Sequence, residues 1–220
     1  MTKRIFAYIS FLCLLLAACK EETYVYPSVI TEFIDLQTDA TGTITHLIAD
    51  DGEHYAVQPR EGLDGLRADT LYRTVSVYQI LNEQTDGNEP EAILYSSRTV
   101  ISPYPVKAGA WKDSIYTDPV DIQSIWRSGD YLNLILEVRR KDQTHAFYFI
   151  EDSISADASD IRTLNLQLFH NSNSDYEAFT EQAYLSVPLR RYRDTLHTGD
   201  KIRFRLNTYK KGETYRDFTY

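Results

Sequence analysis

Apolar and polar residues alternate along most of the first half of the chain, and this pattern predicts β-strands. Five segments show it: residues 29–36, 43–48, 54–57, 74–81 and 92–101. Asp50-Asp51-Gly52 lies between the second and third segments and predicts a hairpin, because glycine accepts the positive φ of a tight turn. Five short strands in succession are typical of a small OB-like barrel, which we expect here.

The second half continues the β pattern with longer segments. They are residues 122–127, 131–139, 145–151, 163–170, 183–188, 201–209 and 215–220. Leu132, Leu134 and Leu136 share one face of the second segment, and from residue 201 apolar and basic residues alternate. Such alternation puts one face of a strand on a core and the other in water. We therefore predict an all-β chain whose C-terminal part is an antiparallel β-sandwich.

A proline-rich stretch separates the two halves. Ser102-Pro103-Tyr104-Pro105 interrupts the alternation, and proline both fixes φ and removes a hydrogen-bond donor from a sheet. We expect the border near residue 106, with an OB-like domain over residues 29–106 and a sandwich over residues 107–220. Only residues 175–180 have a pattern that allows a helical turn.

The first residues have the features of a secretory signal. Lys3 and Arg4 are followed by an almost wholly apolar run that is too short to span a bilayer as a helix. The run ends in Leu16-Ala17-Ala18-Cys19, which resembles the bacterial lipobox. We predict a signal peptide over residues 1–18 and lipid attachment at Cys19. The alternative is an ordinary signal peptide with a chance cysteine.

Residues 19–28 are predicted to form a lipidated tether. Lys20, Glu21 and Glu22 follow the cysteine, and this order looks like the surface-export signal of lipoproteins in the Bacteroidota. The alternative is a solvated linker. We expect a protein that is anchored to the outer membrane by lipid and faces the cell surface.

Composition narrows the possible partners. The formal net charge is −9 and the pI about 5.0, and loss of Lys3 and Arg4 with the signal makes the charge two units more negative. Phosphate backbones repel such a protein, so we expect no nucleic-acid partner. The chain has two cysteines, Cys13 in the signal and Cys19. We therefore expect no disulfide, no thiol chemistry and no cofactor.

Several motifs resemble the NigD-like lipoproteins of Bacteroides and Prevotella. They are YPSVITEF, GLDGL, YRTVSVY, ISPYPV, DPVDIQSIWRSGDYLNL and IRFRLNTYKKGETYRDFTY, and they run in the same order over the whole mature chain. The most specific motif covers residues 118–134. The resemblance implies an N-terminal OB-like domain and a C-terminal β-sandwich. It implies no catalytic residues, and the family name links it to a bacteriocin operon.

Motifs of known enzyme classes are missing from the sequence. It has no Gly-x-Ser-x-Gly, no His-Glu-x-x-His and no glycine-rich phosphate loop. Its five histidines are scattered without metal-ligand spacing, and residues 171–177 lack the glycine and glutamate of a calcium loop. The Arg190-Arg191-Tyr192-Arg193 cluster indicates a solvated loop or, alternatively, a site for an anionic sugar or lipid headgroup.

Three aromatic residues are the candidates for ligand contact. Tyr104 and Trp111 lie beside the predicted domain border, and Trp126 precedes the turn at residues 128–130. Binding sites form preferentially between domains, and aromatic rings there can stack on a glycan or peptide. The alternative is core packing for Trp126 and domain-interface packing for the other two.

These observations favour a non-enzymatic binding or accessory protein with a glycan or protein ligand. The first alternative is a part in bacteriocin action or immunity. The second is a glycan hydrolase, which would need a carboxylate pair; Asp118, Asp121 and Asp130 are the candidates near Trp126.

Overall fold

The structure is a computed structural model that describes residues 27–81 and 89–220. The predicted signal peptide, the lipidated Cys19 and the export residues Lys20, Glu21 and Glu22 lie outside the described residues. The described part is all-β, as predicted, and its strands form a closed barrel followed by two packed sheets.

The N-terminal strands close into a five-stranded barrel in the order β1-β2-β3-β5-β4. Their bounds are Ile30–Thr38 (β1), Ile44–Ile48 (β2), His54–Val57 (β3), Leu71–Ile80 (β4) and Glu91–Thr99 (β5). β3 and β5 pair in parallel, and the other pairings are antiparallel. The predicted OB-like barrel is confirmed. So is the hairpin between β2 and β3, where Gly52 has a φ of +93°.

Alternate residues of the barrel strands form its core. Ile34 and Leu36 of β1 pack with Leu47, Tyr78 and Leu94, all at most 2% exposed. The residues between them point outward, because successive side chains of a strand alternate between its two faces. Phe33 and Asp35 of β1 are therefore on the outer surface of the barrel, yet both are buried. Another part of the protein must cover them.

The C-terminal strands form a sandwich of a five-stranded sheet, β13-β12-β10-β9-β6, and a three-stranded sheet, β11-β8-β7. Their bounds are Val106–Lys107 (β6), Asp121–Ser128 (β7), Tyr131–Arg140 (β8), Ala146–Ala156 (β9), Arg162–Asn171 (β10), Phe179–Pro188 (β11), Lys201–Thr208 (β12) and Gly212–Thr219 (β13). The predicted sandwich is confirmed, although β10–β12 and β6–β9 pair in parallel.

The helical turn expected at residues 175–180 is wrong. Phe179 already begins β11, and the preceding residues form a turn around Asp175. The Asp175 carboxylate accepts backbone N–H bonds from Lys141 at 2.7 Å and Tyr176 at 2.9 Å. A side chain that binds nearby backbone N–H groups competes with a helix in this way.

Both faces of the three-stranded sheet are covered. Leu132, Leu134 and Leu136 of β8 face the sandwich core and are fully buried, as their alternation predicts. On the opposite face Asn133 is also fully buried and Ile135 is partly buried. The outer surface of the barrel packs against this second face, and the contacts between them create the candidate site.

Candidate functional site

The barrel and the sandwich meet through a buried cluster of polar side chains centred on Arg73. The Arg73 guanidinium donates two hydrogen bonds to Asp50 of the barrel, at 2.6 and 2.9 Å. It also donates to Asn133 and Ser186 of the sandwich, at 3.0 and 3.2 Å. Its central carbon lies 3.7 Å from the centre of the Tyr131 ring. This single side chain therefore binds both domains.

Asp35 forms a second link between the domains. Its buried carboxylate accepts hydrogen bonds from the Tyr131 hydroxyl and from the Arg190 guanidinium, both at 2.9 Å. Burial and the charge of Asp35 raise the pKa of Tyr131, so its hydroxyl stays protonated and donates. Arg190 and Arg193 also donate to Asp130. We call the whole cluster the junction network: Asp35, Asp50, Arg73, Asp130, Tyr131, Asn133, Ser186, Arg190 and Arg193.

The basic cluster at residues 190–193 is only partly solvated. Arg191 and Arg193 are exposed, as a solvated loop requires, but Arg190 and Arg193 bind the carboxylate of Asp130. Arg191 donates to a backbone carbonyl at 3.1 Å, and Tyr192 is buried and donates to Glu151 at 2.9 Å. Carboxylates of the protein itself therefore pair with Arg190 and Arg193, whereas Arg191 binds a backbone carbonyl.

The turn between β7 and β8 touches the barrel at Gly129. A Cβ atom at this position would lie 2.1 Å from the carbonyl oxygen of Asp50, and Gly129 has a φ of +50°. Both the close approach and the positive φ require glycine. The turn therefore places Asp130 and Tyr131 directly against the β2–β3 hairpin.

A cavity of about 310 Å³ adjoins the junction network, and we call it the aromatic cavity. Phe33, Trp126 and Tyr184 contribute aromatic rings to its walls. The Phe33 ring meets Trp126 edge to face at 5.2 Å between centroids and lies 6.1 Å from Tyr184. Glu32 also lines the cavity, and its carboxylate accepts a hydrogen bond from buried Tyr78. Apolar walls with few polar groups are typical of ligand pockets.

A second cavity, of about 150 Å³, also has Tyr184 in its wall. Its walls include Arg98 of the barrel and Arg140, His145 and Glu181 of the sandwich, and we call it the arginine cavity. The Arg98 guanidinium lies 5.3 Å from the centre of the Tyr184 ring, within the range of a cation–π contact. Tyr184 lines both cavities, so they are neighbours along the domain junction.

Two histidines that are distant in the sequence meet beside the arginine cavity. His170 Nδ1–H donates to the Asp118 carbonyl at 3.0 Å, so its Nε2 accepts the 2.9 Å bond from His145 Nδ1–H. Burial lowers the pKa of His170 to about 4. The other nitrogen of His145 lies 3.4 Å from Asp175 Oδ2. Burial opposes the charge of Asp175, but backbone N–H groups outweigh it and lower its pKa to about 2.

The three predicted contact residues fall in different places. Trp126 lies in the aromatic cavity. Tyr104 is 48% exposed and stacks against Arg191, with 4.8 Å between the guanidinium carbon and the ring centre. Trp111 packs on Tyr148 at 5.4 Å and on Phe169 of the sandwich. Tyr104 and Trp111 line neither cavity.

Residues proposed for other chemistry make structural contacts. Asp118 accepts from the Ser172 backbone N–H at 2.7 Å, and Asp130 is paired with arginines. Within residues 27–81 and 89–220, no group of three or more His, Cys, Asp or Glu side chains has the geometry of a metal site. In the same residues no helix has the length and apolarity needed to cross a bilayer.

Comparisons with known proteins agree with this architecture. A sequence profile of the NigD-like C-terminal beta sandwich domain matches residues 102–220. A crystal structure of a NigD-like immunity protein from Bacteroides caccae is 33% identical in sequence, with a TM-score of 0.70. That match covers 90% of this chain and 99% of the other. No curated protein is significantly similar to the chain.

Two more distant structures share the fold. A protein of unknown function from Bacteroides vulgatus is 20% identical with a TM-score of 0.68, over 88% of this chain and 91% of its own. A candidate toxin-related protein from Parabacteroides distasonis is 18% identical with a TM-score of 0.68, over 88% of this chain and 93% of its own. At these identities the similarity concerns the fold alone.

Proposed function

Because the chain belongs to the NigD-like family, we propose that it is a non-enzymatic binding protein whose ligand occupies the aromatic cavity. The observation that supports this proposal is the placement of three aromatic rings around about 310 Å³ between two domains. Sites between domains are preferred for binding, and rings provide a large contact area with few rotatable bonds. A glycan or a protein segment is the proposed ligand.

The test is a glycan and peptide array probed with the chain from residue 19 onward, carrying Cys19→Ser to prevent lipidation. We expect a hit whose affinity falls at least about tenfold with Trp126→Ala, because the rings of a ligand pocket contribute much of its binding energy. Trp111→Ala is the matched control, since Trp111 stacks on aromatic rings but lines neither cavity.

Two outcomes separate the alternatives. Equal loss of affinity with Trp111→Ala and Trp126→Ala, in folded variants, would contradict the aromatic cavity as the site. A hit that depends on Trp111 or Tyr104 instead of Trp126 would place the site at the proline-rich border.

The second candidate function is immunity to a bacteriocin. It is favoured by the similarity, at 33% identity, to a structure described as a NigD-like immunity protein. A bacteriocin is a protein ligand, so the two candidates can share one cavity. Expression of the protein in a sensitive strain should then reduce killing of that strain by a bacteriocin producer. The Trp126→Ala variant should not protect the strain. Unchanged killing by every producer tested would count against this role.

We also propose that lipid on Cys19 anchors the protein in the outer membrane. The sequence order Leu16-Ala17-Ala18-Cys19 supports this, and a lipidated cysteine carries enough acyl carbon for stable attachment. Cys19→Ala should abolish labelling with a fatty-acid analogue and release the protein from membranes. Retention of that variant after a carbonate wash would refute the anchor.

Orientation toward the cell surface is a separate proposal. It rests on the order Lys20-Glu21-Glu22 directly after the cysteine. Protease added to intact cells should digest the wild-type protein and leave a triple-alanine variant of these residues intact. Equal protection of both proteins would place the protein on the periplasmic side.

A further inference from the structure

Arg140, which lines the arginine cavity, has a buried donor without an acceptor among the described residues. Arg140 donates from Nη1 to Glu181 at 2.9 Å and from Nη2 to the Gln143 carbonyl at 3.1 Å. Its Nε–H is buried and has no hydrogen-bond partner among the described residues. Buried N–H groups are almost always paired, so an unpaired one on a residue that lines a cavity points to a missing acceptor. A bound group with oxygen atoms would supply it.

The charges around this cavity favour an anion. Arg98 is exposed and, within the described part of the chain, no carboxylate lies within salt-bridge distance of it. The negative charge of Glu181 balances the positive charge of Arg140. The formal charge of these three side chains is therefore positive, although the whole protein carries −9. A local positive charge attracts anions even in an acidic protein, because neighbouring charges dominate the field in a cleft.

We propose that the arginine cavity is an oxyanion-binding site that recognises a carboxylate, sulfate or phosphate group with Arg98 and the Nε–H of Arg140. The volume of about 150 Å³ is several times the ~30 Å³ that one water molecule occupies in the liquid. Guanidinium groups suit this ligand class because their planar N–H groups match pairs of anionic oxygens. The site is distinct from the aromatic cavity, and its test does not depend on a ligand there.

The test is a titration of the chain from residue 19 onward, carrying Cys19→Ser, with sodium sulfate, sodium phosphate and sodium acetate. Sodium chloride at equal ionic strength is the control for screening. The readouts are isothermal titration calorimetry and the NMR signal of the Arg140 Nε–H. We expect saturable binding and a saturable shift of that signal with at least one oxyanion. The sulfate, phosphate and acetate arms distinguish the possible sources of the anionic group.

Variants separate this site from general charge effects. Arg98→Gln should weaken oxyanion binding about tenfold, since a charged hydrogen-bond donor is lost. Arg140→Lys keeps the charge near Glu181 but removes Nε, and it should also weaken binding. Arg216→Gln removes an exposed arginine on β13 and should leave binding unchanged. The proposal is overturned if all anions shift the signal linearly and alike, or if Arg98→Gln and Arg216→Gln behave the same.

Discussion

Replacement of Arg73 by methionine tests whether the junction network holds the two domains together. The substitution keeps an unbranched apolar side chain but removes the hydrogen bonds to Asp50, Asn133 and Ser186. Asp50 then keeps only the Asn133 amide, at 3.2 Å, as a side-chain donor among the described residues. Its carboxylate, with the side chain 11% exposed, is left without a cation.

The expected loss of stability is about 3–5 kcal/mol, the usual effect of removing one partner of a buried ion pair. The pair formed by Arg203 and Asp217 is a matched control. Its two hydrogen bonds measure 2.7 and 2.9 Å, nearly the same as the 2.6 and 2.9 Å between Arg73 and Asp50. Its side chains are 50% and 54% exposed, so Arg203→Met should lower the free energy of unfolding far less than Arg73→Met does.

The assay is urea unfolding followed by tryptophan fluorescence, with the midpoints and slopes compared for wild type and both variants. A third protein, Arg73→Met with Asp50→Asn, removes the unpaired charge and should recover part of the loss. Equal destabilisation by Arg73→Met and Arg203→Met would refute the reasoning, because Arg73 is buried and also binds Asn133 and Ser186, whereas Arg203 is exposed and donates hydrogen bonds only to Asp217 among the described residues. No recovery in the double variant would show that the unpaired carboxylate is not the cause.

Three further predictions concern single positions. Gly129→Ala should lower the free energy of unfolding, measured in urea, by more than about 3 kcal/mol, because its Cβ would clash with the Asp50 carbonyl. Gly212→Ala is the control: Gly212 also has a positive φ, +67°, but nothing lies near its Cβ position, so the loss should be about 1 kcal/mol. The free energy of unfolding should fall by up to about 3 kcal/mol as the pH decreases from 6.5 to 4. Between these values the His170 ring takes up a proton in the unfolded chain, where its pKa is ordinary, but not in the folded protein, where its pKa is about 4; His170→Asn should therefore flatten this pH dependence. Trp111→Phe should stay within about 1 kcal/mol of wild type by thermal unfolding, because the buried indole N–H has no acceptor in the described residues and the ring contacts with Tyr148 and Phe169 persist.

The sequence pattern predicted the strands well because burial on one face leaves a period of two. Residues 131–139 and 201–209 show this, and Leu134 and Phe204 are fully buried as their alternation requires. The turn at Gly129 was also predictable, since glycine marks a positive φ. The parallel pairing of β10 with β12 was not predictable, because strand order depends on contacts between segments that are far apart in the chain.

The junction was only partly predictable for the same reason. Trp126 was a candidate, but Phe33 and Tyr184, its partners in the aromatic cavity, were missed. The sequence contains one signal that this face of β8 is covered. Asn133 and Ile135 lie opposite the leucines of β8, where a strand that faces water would carry charged residues. The ion pairs of Arg190 and Arg193 were not predictable, because a local pattern does not show the carboxylates 60 or more residues away that bind these arginines.

The junction network and the wall of the aromatic cavity contain adjacent rows of residues from the same four strands. Each strand gives one residue to the network and, two positions away on the same face, one to the cavity wall: Asp35 and Phe33 on β1, Arg73 and Val75 on β4, Asn133 and Ile135 on β8, and Ser186 and Tyr184 on β11. Two residues along a strand span only about 7 Å. The hydrogen bonds of the first row therefore set the spacing of the second, and Arg73→Met should weaken ligand capture although Arg73 lines neither cavity. Unchanged affinity in a folded Arg73→Met variant would show that the cavity keeps its shape without the network.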